Sequence, residues 1–226
     1  MNYRRIVPNS ISGTSLILGI LAIFKSFEGD FFWAPIFIIL AVLADACDGR
    51  AARLLKCQGE FGVQLDSLCD LGSFGVAPAI MIYQYALTDL GLTGQIIAGL
   101  FTFAGAMRLA RFNVNASTVH GYFQGMPIPA GACCLATYVL SGFNLGAVNV
   151  AVMTFIIAIL LYSEVKFPDC KGKGNPLGPV AVLPLVIALV IGGYLLWQNP
   201  QGWPFVLMFI YTLAGVLNFF YRMVVK

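Results

Sequence analysis

The chain has 226 residues, 59% of them hydrophobic and only 10% charged, with a formal net charge of +3 and a mean hydropathy of +0.86. A soluble globular domain carries roughly 25% charged residues, so the composition excludes a soluble enzyme and points to an integral membrane protein. The few, scattered basic residues exclude nucleic-acid binding.

A membrane span needs about 20 apolar residues. Hydropathy predicts helices near 10–27, 32–56, 62–87, 93–113, 126–142, 147–163, 179–197 and 203–223. The expected fold is an all-α, polytopic bundle of about eight transmembrane helices. Before the first helix stand Arg4 and Arg5, but Pro8 and Asn9 follow with no small-residue cleavage site, so this segment is expected to stay as a span. The breakers fall between the predicted spans, at Glu28-Gly29-Asp30, Thr88 to Thr93, Ser141-Gly142, Pro168 to Pro176 and Asn199-Pro200-Gln201-Gly202.

Charge supports this count. One set of helix ends holds Arg4, Arg5, Arg50, Arg53, Lys56, Arg108, Arg111, Lys166, Lys171, Lys173, Arg222 and Lys226; the other holds only Lys25, beside Glu28, Asp30 and Asp89. By the positive-inside rule the first set, and with it both termini, is cytoplasmic. The expected location is the cytoplasmic membrane. The cysteines, Cys47, Cys57, Cys69, Cys133, Cys134 and Cys170, form no C-x-x-C pair and read as small buried hydrophobes.

The second predicted helix ends in Asp45-Ala46-Cys47-Asp48-Gly49-Arg50-Ala51-Ala52-Arg53. Asp45 and Asp48 are three apart and share a face, with Gly49, Ala52 and Arg53 on or beside it. Small residues there let a ligand approach the backbone, and Arg53 suits an acidic or phosphorylated partner. The third helix opens with Gly62, Asp66 and Asp70 recurring every four residues, a second stripe. A short turn at Gln58-Gly59-Glu60 makes the two helices candidate antiparallel neighbours. Facing stripes would gather four carboxylates towards the cytoplasmic side. Carboxylates are costly at membrane depth and mark functional sites. Like charges that close need a cation between them. Oxygen ligation suits Mg2+, Mn2+ or Ca2+ rather than zinc, and four carboxylates could hold two such ions to clamp a diphosphate. The ordinary alternative, helix-end aspartates paired with Arg50, Arg53 and Lys56, explains one aspartate better than four at these spacings.

The pattern Asp-x-x-Asp-Gly-x-x-Ala-Arg, eight residues, Gly, three residues, Asp, three residues, Asp is complete in Asp45, Asp48, Gly49, Ala52, Arg53, Gly62, Asp66 and Asp70. It resembles the signature of the CDP-alcohol phosphotransferase family. The resemblance implies a membrane enzyme that displaces CMP from a CDP-linked lipid or alcohol with two divalent metals, Mg2+ or Mn2+. It implies Asp45, Asp48, Asp66 and Asp70 as metal ligands, Asp66 and Asp70 as the catalytic pair with Asp70 the general base, and Gly49, Ala52, Arg53 and Gly62 as the lining against CDP. Pro8-Asn9-Ser10-Ile11-Ser12 is similar to the family's opening and adds Asn9 and Ser12 as candidate CDP-lipid contacts, although a polar cap on a helix start is an equal explanation for Ser12 and Thr14.

Arg108-Leu109-Ala110-Arg111-Phe112-Asn113, followed by Phe123-Gln124-Gly125-Met126-Pro127-Ile128-Pro129-Ala130, looks like the serine-accepting, phosphatidylserine synthase branch of that family. Alone, two arginines at a helix end read as positive-inside anchors. A serine acceptor carries a carboxylate, which an arginine fork suits; inositol and glycerol do not. Arg108, Arg111, Asn113 and Gln124 are therefore candidates for binding serine or lipid phosphate, with the choice between the arginines open. The implied substrates are CDP-diacylglycerol and L-serine. The same chemistry with glycerol phosphate or inositol phosphate, or with an ether-linked archaeal lipid, is the alternative. A divalent-cation transporter is a rival of another class, but it calls for polar groups at several depths along several spans.

The resemblance covers the first 130 or so residues best. The expected organisation is one membrane domain over 1–226, with a family-like core to residue 163 and then a loop and two additional spans. His120 and the charged stretch from Glu164 to Lys173 read as solvated loops; the sequon Asn115-Ala116-Ser117 is discarded because its loop is expected on the cytoplasmic side. Small residues such as Gly192-Gly193 permit close helix packing, and a homodimer is expected on base rates.

Overall fold

The computed structural model describes residues 3–54, 59–115, 122–168, 182–198 and 202–224. Cys57, Lys56, His120, Cys170, Lys171 and Lys173 lie outside the described residues. Eight helical rods are present among those described. They are α1 (Tyr3–Phe27), α2 (Trp33–Leu54), a composite third rod, α5 (Leu92–Asn115), α6 (Ile128–Ser141), α7 (Ala147–Tyr162), α8 (Val182–Gln198) and α9 (Trp203–Val224). The third rod comprises α3 (Glu60–Asp70), a π-helical stretch over Leu71–Val76, α4 (Ala77–Ile82), a second π stretch over Tyr83–Leu87 and a closing turn over Thr88–Leu90. The all-helical bundle agrees with the sequence expectation. Val7–Phe27, Glu60–Leu90 and Leu92–Val114 are long and apolar enough to cross a membrane; Ile128–Ser141, Ala147–Tyr162 and Trp203–Asn218 are shorter apolar helices.

Side chains such as Ile17, Phe24, Leu43, Phe103, Ile159 and Val190 are exposed around the bundle. In water so much apolar surface would aggregate; in a bilayer it is the lipid face. The core holds Phe74, Met81, Phe101, Leu135, Tyr138 and Leu161, all fully buried. Hydroxyls inside the spans donate to backbone carbonyls four residues back, as Ser26 does to Ala22 (2.7 Å) and Thr154 to Val150 (2.8 Å), which spares these donors exposure to lipid.

Helix α1 is the common neighbour of α2 and the third rod. A Cβ on Gly19 would stand 2.7 Å from Ser73 Cα, so the two backbones touch there. Ser15 Oγ donates to Ala41 O of α2 (3.2 Å) and lies 3.4 Å from Ser73 Oγ. This knot sits one turn below the aspartates and ties the three rods that carry or flank them. The π stretch begins immediately after Asp70. Pro78 has no N–H to return to the carbonyl four residues before it, which favours a local change of helical register. Thr102 Oγ1 of α5 reaches the Gly75 carbonyl in that stretch at 3.2 Å.

Two short strands lie among the described residues, β1 (Tyr122–Gln124) and β2 (Lys166–Pro168). They pair antiparallel, Phe123 opposite Phe167. The sequence reading placed a solvated loop at 164–173; residues 166–168 are instead in this ribbon. Gly125, at φ +80°, turns the chain from β1 towards α6, and its N–H donates to Val165 O at 2.9 Å.

At the end of the bundle away from the aspartates, edge-to-face rings link Phe31 to Tyr85 (5.1 Å), Tyr85 to Tyr138 (6.0 Å) and Tyr138 to Phe205 (5.5 Å). Helix α8 packs on α9, where Gly192 meets Ile210. That glycine therefore serves packing within the chain. Among the described cysteines all are free, with Cys69 and Cys134 buried as expected, whereas Cys47 points outward and is exposed.

Candidate active site

Asp45 and Asp48 come from the last turns of α2, and Asp66 and Asp70 from α3. Oxygens of Asp45, Asp48 and Asp66 all lie within 4.8 Å of one another. Asp48 is only 6% exposed, and Ser12 Oγ of α1 donates to its Oδ2 at 2.6 Å. That hydroxyl also lies 3.1 Å from Pro8 O, which fixes its position on the helix. Asp70 stands beside the three and shares a side-chain hydrogen bond with Asp45. Carboxylates gathered this closely, out of bulk water, need a proton or a cation among them. The oxygen-only donor set fits a hard divalent metal, and the cluster is one that could hold such an ion.

Asn9 and Gly62, singled out separately in the sequence, meet: a Cβ on Gly62 would lie 3.7 Å from Asn9 Oδ1. The absence of a side chain at 62 keeps that face of α3 open beside the aspartates. Gly49, Ala52 and Arg53 are carried on α2 within two turns of Asp48; their side chains, and that of Gln124 in β1, lie outside the described residues.

The Arg-Leu-Ala-Arg-Phe-Asn segment ends α5, and its polar residues take separate tasks. Arg108 is buried at 7% exposure and its Nε has no hydrogen-bond partner among the described residues. Its guanidinium interacts electrostatically with Asp70 and Asp45 and lies 5.8 Å from the Phe112 ring centroid. Asn113 Nδ2 donates to Ser67 Oγ at 2.9 Å, tying α5 to α3 between Asp66 and Asp70. Arg111 turns to α7 instead. Its Nη1 donates to Tyr162 O (2.8 Å) and its Nη2 to Ser163 O (3.0 Å), with the guanidinium 4.8 Å from the Tyr162 ring centroid. A cation on the last carbonyls of a helix is a stabilising cap.

The second half of the motif serves the same corner. A Cβ on Gly125 would lie 2.7 Å from Arg111 Nη2 and 3.0 Å from Ser163 O. Met126 N–H donates to Leu160 O at 2.9 Å. The two halves therefore meet at the end of α7, and the structure uses Arg111 and Gly125 to close it.

Sequence reasoning passed over Ser67, which sits unremarked between Asp66 and Asp70 although its spacing puts it on the α5 side of α3.

The profile of the CDP-alcohol phosphatidyltransferase family matches residues 5–163. The chain is 33% identical over 225 residues to a CDP-diacylglycerol–serine O-phosphatidyltransferase of Helicobacter pylori, covering 96% of this chain and 92% of that protein. It is 36% identical over 171 residues to the enzyme of the same name from Bacillus subtilis, covering 76% and 93% respectively. It is 35% identical over 171 residues to an archaetidylserine synthase of Methanothermobacter thermautotrophicus, covering 74% and 72%.

Proposed function

The chain belongs to the CDP-alcohol phosphatidyltransferase family, and from that premise we propose that it transfers the phosphatidyl group of CDP-diacylglycerol to L-serine, releasing CMP and forming phosphatidylserine. The observation that carries the choice of acceptor is the buried guanidinium of Arg108, whose Nε has no partner among the described residues and which lies within electrostatic reach of Asp70. Serine needs a base near its hydroxyl and a cation near its carboxylate, and Asp70 and Arg108 would supply them.

Asp45, Asp48, Asp66 and Asp70 would hold two divalent cations, Mg2+ or Mn2+, which when bound neutralise the diphosphate and the charge that develops on it. Asn9, Ser12, Gly49, Ala52, Arg53 and Gly62 line the CDP side. Ser12 fixes the Asp48 carboxylate, and Arg53 holds diphosphate oxygens. Asp70 takes the proton of the serine hydroxyl on a carboxylate oxygen, with Asp66 beside it. The serine oxygen forms a bond to the lipid-side phosphorus while the bond to the bridging diphosphate oxygen breaks, and CMP leaves with the electron pair. Arg108 orients the serine carboxylate. The Asn113–Ser67 hydrogen bond keeps α5, and so Arg108, at a fixed distance from Asp70. Arg111 acts less directly, through the corner that closes α7, and Gln124 is a further candidate for binding the serine or lipid phosphate.

The site faces the cytoplasm, in keeping with the arginines at that end of the bundle, and the two last spans extend a core of residues 1–163 within one membrane domain. The assembly is a homodimer, the commonest closed arrangement. The test is CMP release by the full chain in detergent, with CDP-diacylglycerol, Mg2+ or Mn2+, and L-serine, glycerol 3-phosphate, inositol or inositol phosphate as acceptor. Metal-dependent release with serine alone is expected. Release with another acceptor would overturn the role given to Arg108; none with any acceptor, from folded protein, would overturn the transfer reading. Because one relative is named an archaetidylserine synthase, an ether-linked CDP-lipid belongs in the same assay as the second donor.

A further inference from the structure

We propose that Thr102 of α5 is a positioning residue for Asp66 and Asp70, and that it acts through the π turn that follows Asp70. This rests on the reading of those carboxylates as metal ligands. The backbone of the third rod changes register just beyond them. Leu71 N–H still reaches Ser67 O, four residues back, whereas Ala77 N–H reaches Gly72 O, five back. The wider turn decides where the carboxylates point. On α3 the outward side carries Phe61 and Leu68, 70% and 67% exposed. Further along the rod, Val76, Ile80 and Tyr83 are half-buried among fully buried neighbours such as Phe74, Ala77 and Met81. An α-helix advances about 100° per residue, so in an unbroken helix Val76, Ile80 and Tyr83 would stand about 80°, 120° and 60° round from Leu68. Taking one more residue into a turn removes about 100° of this. One side of the rod then faces lipid along its whole length. Asp66 and Asp70, each about 160° round from Leu68, share the inward side with the buried residues beyond them. Without the π turn the two halves fall out of phase. The buried half is held by the core, so the misalignment falls on the 11-residue α3 and its carboxylates.

What holds the turn comes from α5. Thr14, Thr137, Thr154 and Thr212 each donate to the carbonyl four residues back in their own helix, at 2.9, 2.6, 2.8 and 2.9 Å. In Thr102 the same contact, to Ala98 O, is lengthened to 3.3 Å, and the hydroxyl lies 3.2 Å from Gly75 O in the π stretch. The hydroxyl is thus drawn off its own helix towards the neighbouring one. Glycines make the approach possible: a Cβ on Gly105 of α5 would lie 4.0 Å from Gly75 Cα. At this depth no water can take the place of the hydroxyl on that carbonyl.

The test uses the full chain in detergent, with two readouts: Mn2+ binding followed by electron paramagnetic resonance without substrates, and CMP release with CDP-diacylglycerol and L-serine. Thr102→Val removes the hydroxyl at nearly constant shape. It should weaken Mn2+ binding and lower kcat, each about tenfold, and leave the serine KM within about twofold. Thr102→Ser keeps the hydroxyl and should restore both. Thr154→Val removes a buried hydroxyl that bonds within α7 and should change neither. Wild-type Mn2+ affinity and kcat in Thr102→Val would overturn the proposal. So would equal losses in Thr102→Ser or Thr154→Val, because lost packing, not the bond to Gly75, would then be the cause. If Thr102→Val does not extract as folded protein, Thr102→Ala takes its place and the same outcomes decide. Failure of the transfer reading appears separately, as wild-type protein that releases no CMP, and the Mn2+ titration then still decides the role of Thr102.

Discussion

The two arginines at the end of α5 should behave differently on substitution. Arg111 donates to the Tyr162 and Ser163 carbonyls at 2.8 and 3.0 Å. A charge-assisted hydrogen bond contributes about 1.5–3 kcal/mol when buried. Partial exposure places this pair near the lower bound, about 3 kcal/mol together, including the attraction of the cation to the helix end. For a chain of this size each kcal/mol shifts the unfolding midpoint by about 2–4 °C, so Arg111→Ala should lower the Tm by roughly 6–12 °C. Below that transition its serine KM should change little. Arg108 has the opposite profile. It is buried, its Nε has no partner among the described residues, and it lies within electrostatic reach of Asp70, so Arg108→Ala should raise the serine KM by about tenfold to a hundredfold. Arg108→Lys should recover only part of this, because a point charge cannot reproduce the fork. The assays are thermal unfolding in detergent and CMP release against serine concentration. A Tm unchanged in Arg111→Ala together with a raised serine KM would refute the assignment of that residue to the α7 cap.

Ser12→Ala leaves Asp48 Oδ2 without its 2.6 Å donor; the metal concentration for half-maximal CMP release should rise several-fold, while saturating metal restores most of the rate. Gly125→Ala adds a Cβ at φ +80°, within 3.0 Å of Arg111 Nη2 and Ser163 O; it should cost at least about 1–2 kcal/mol and lower the Tm at least as much as one lost arginine contact. Gly19→Val forces a side chain against Ser73 Cα, 2.7 Å from the added Cβ; the expected result is protein that aggregates on extraction, checked by size-exclusion chromatography. Chelation with EDTA should abolish CMP release, and Mg2+ or Mn2+ should restore it.

The helical bundle was legible because apolar runs of span length have few other uses: the predicted 93–113 became Leu92–Asn115 and the predicted 147–163 became Ala147–Tyr162. The aspartates were legible for a related reason, since charge at membrane depth is rare and each instance needs a cause. What escaped depends on contacts between distant segments. The ribbon joining Tyr122–Gln124 to Lys166–Pro168 comes from residues more than forty apart, neither of which reads as a strand alone. The π stretches depend on how Gly72, Gly75 and Pro78 pack against α1 and α5. Arg108 and Arg111 are three apart on one helix and look equivalent in one dimension; only the position of the α7 end separates a cap from a buried arginine whose Nε has no partner among the described residues.

The chain of rings from Phe31 through Tyr85 and Tyr138 to Phe205 has a mechanical side. It acts as a pivot at the end of the bundle remote from the chemistry. From Phe205 to Asn218, α9 runs about 20 Å at 1.5 Å per residue. Pinned at the rings, that lever arm converts a tilt of about 3° into roughly 1 Å of movement at its far end. A gap as thick as a lipid chain would need a tilt several times larger, which would break the 3.6 Å contact of Thr212 with Cys134, so the rings and α6 together hold this side of the bundle shut.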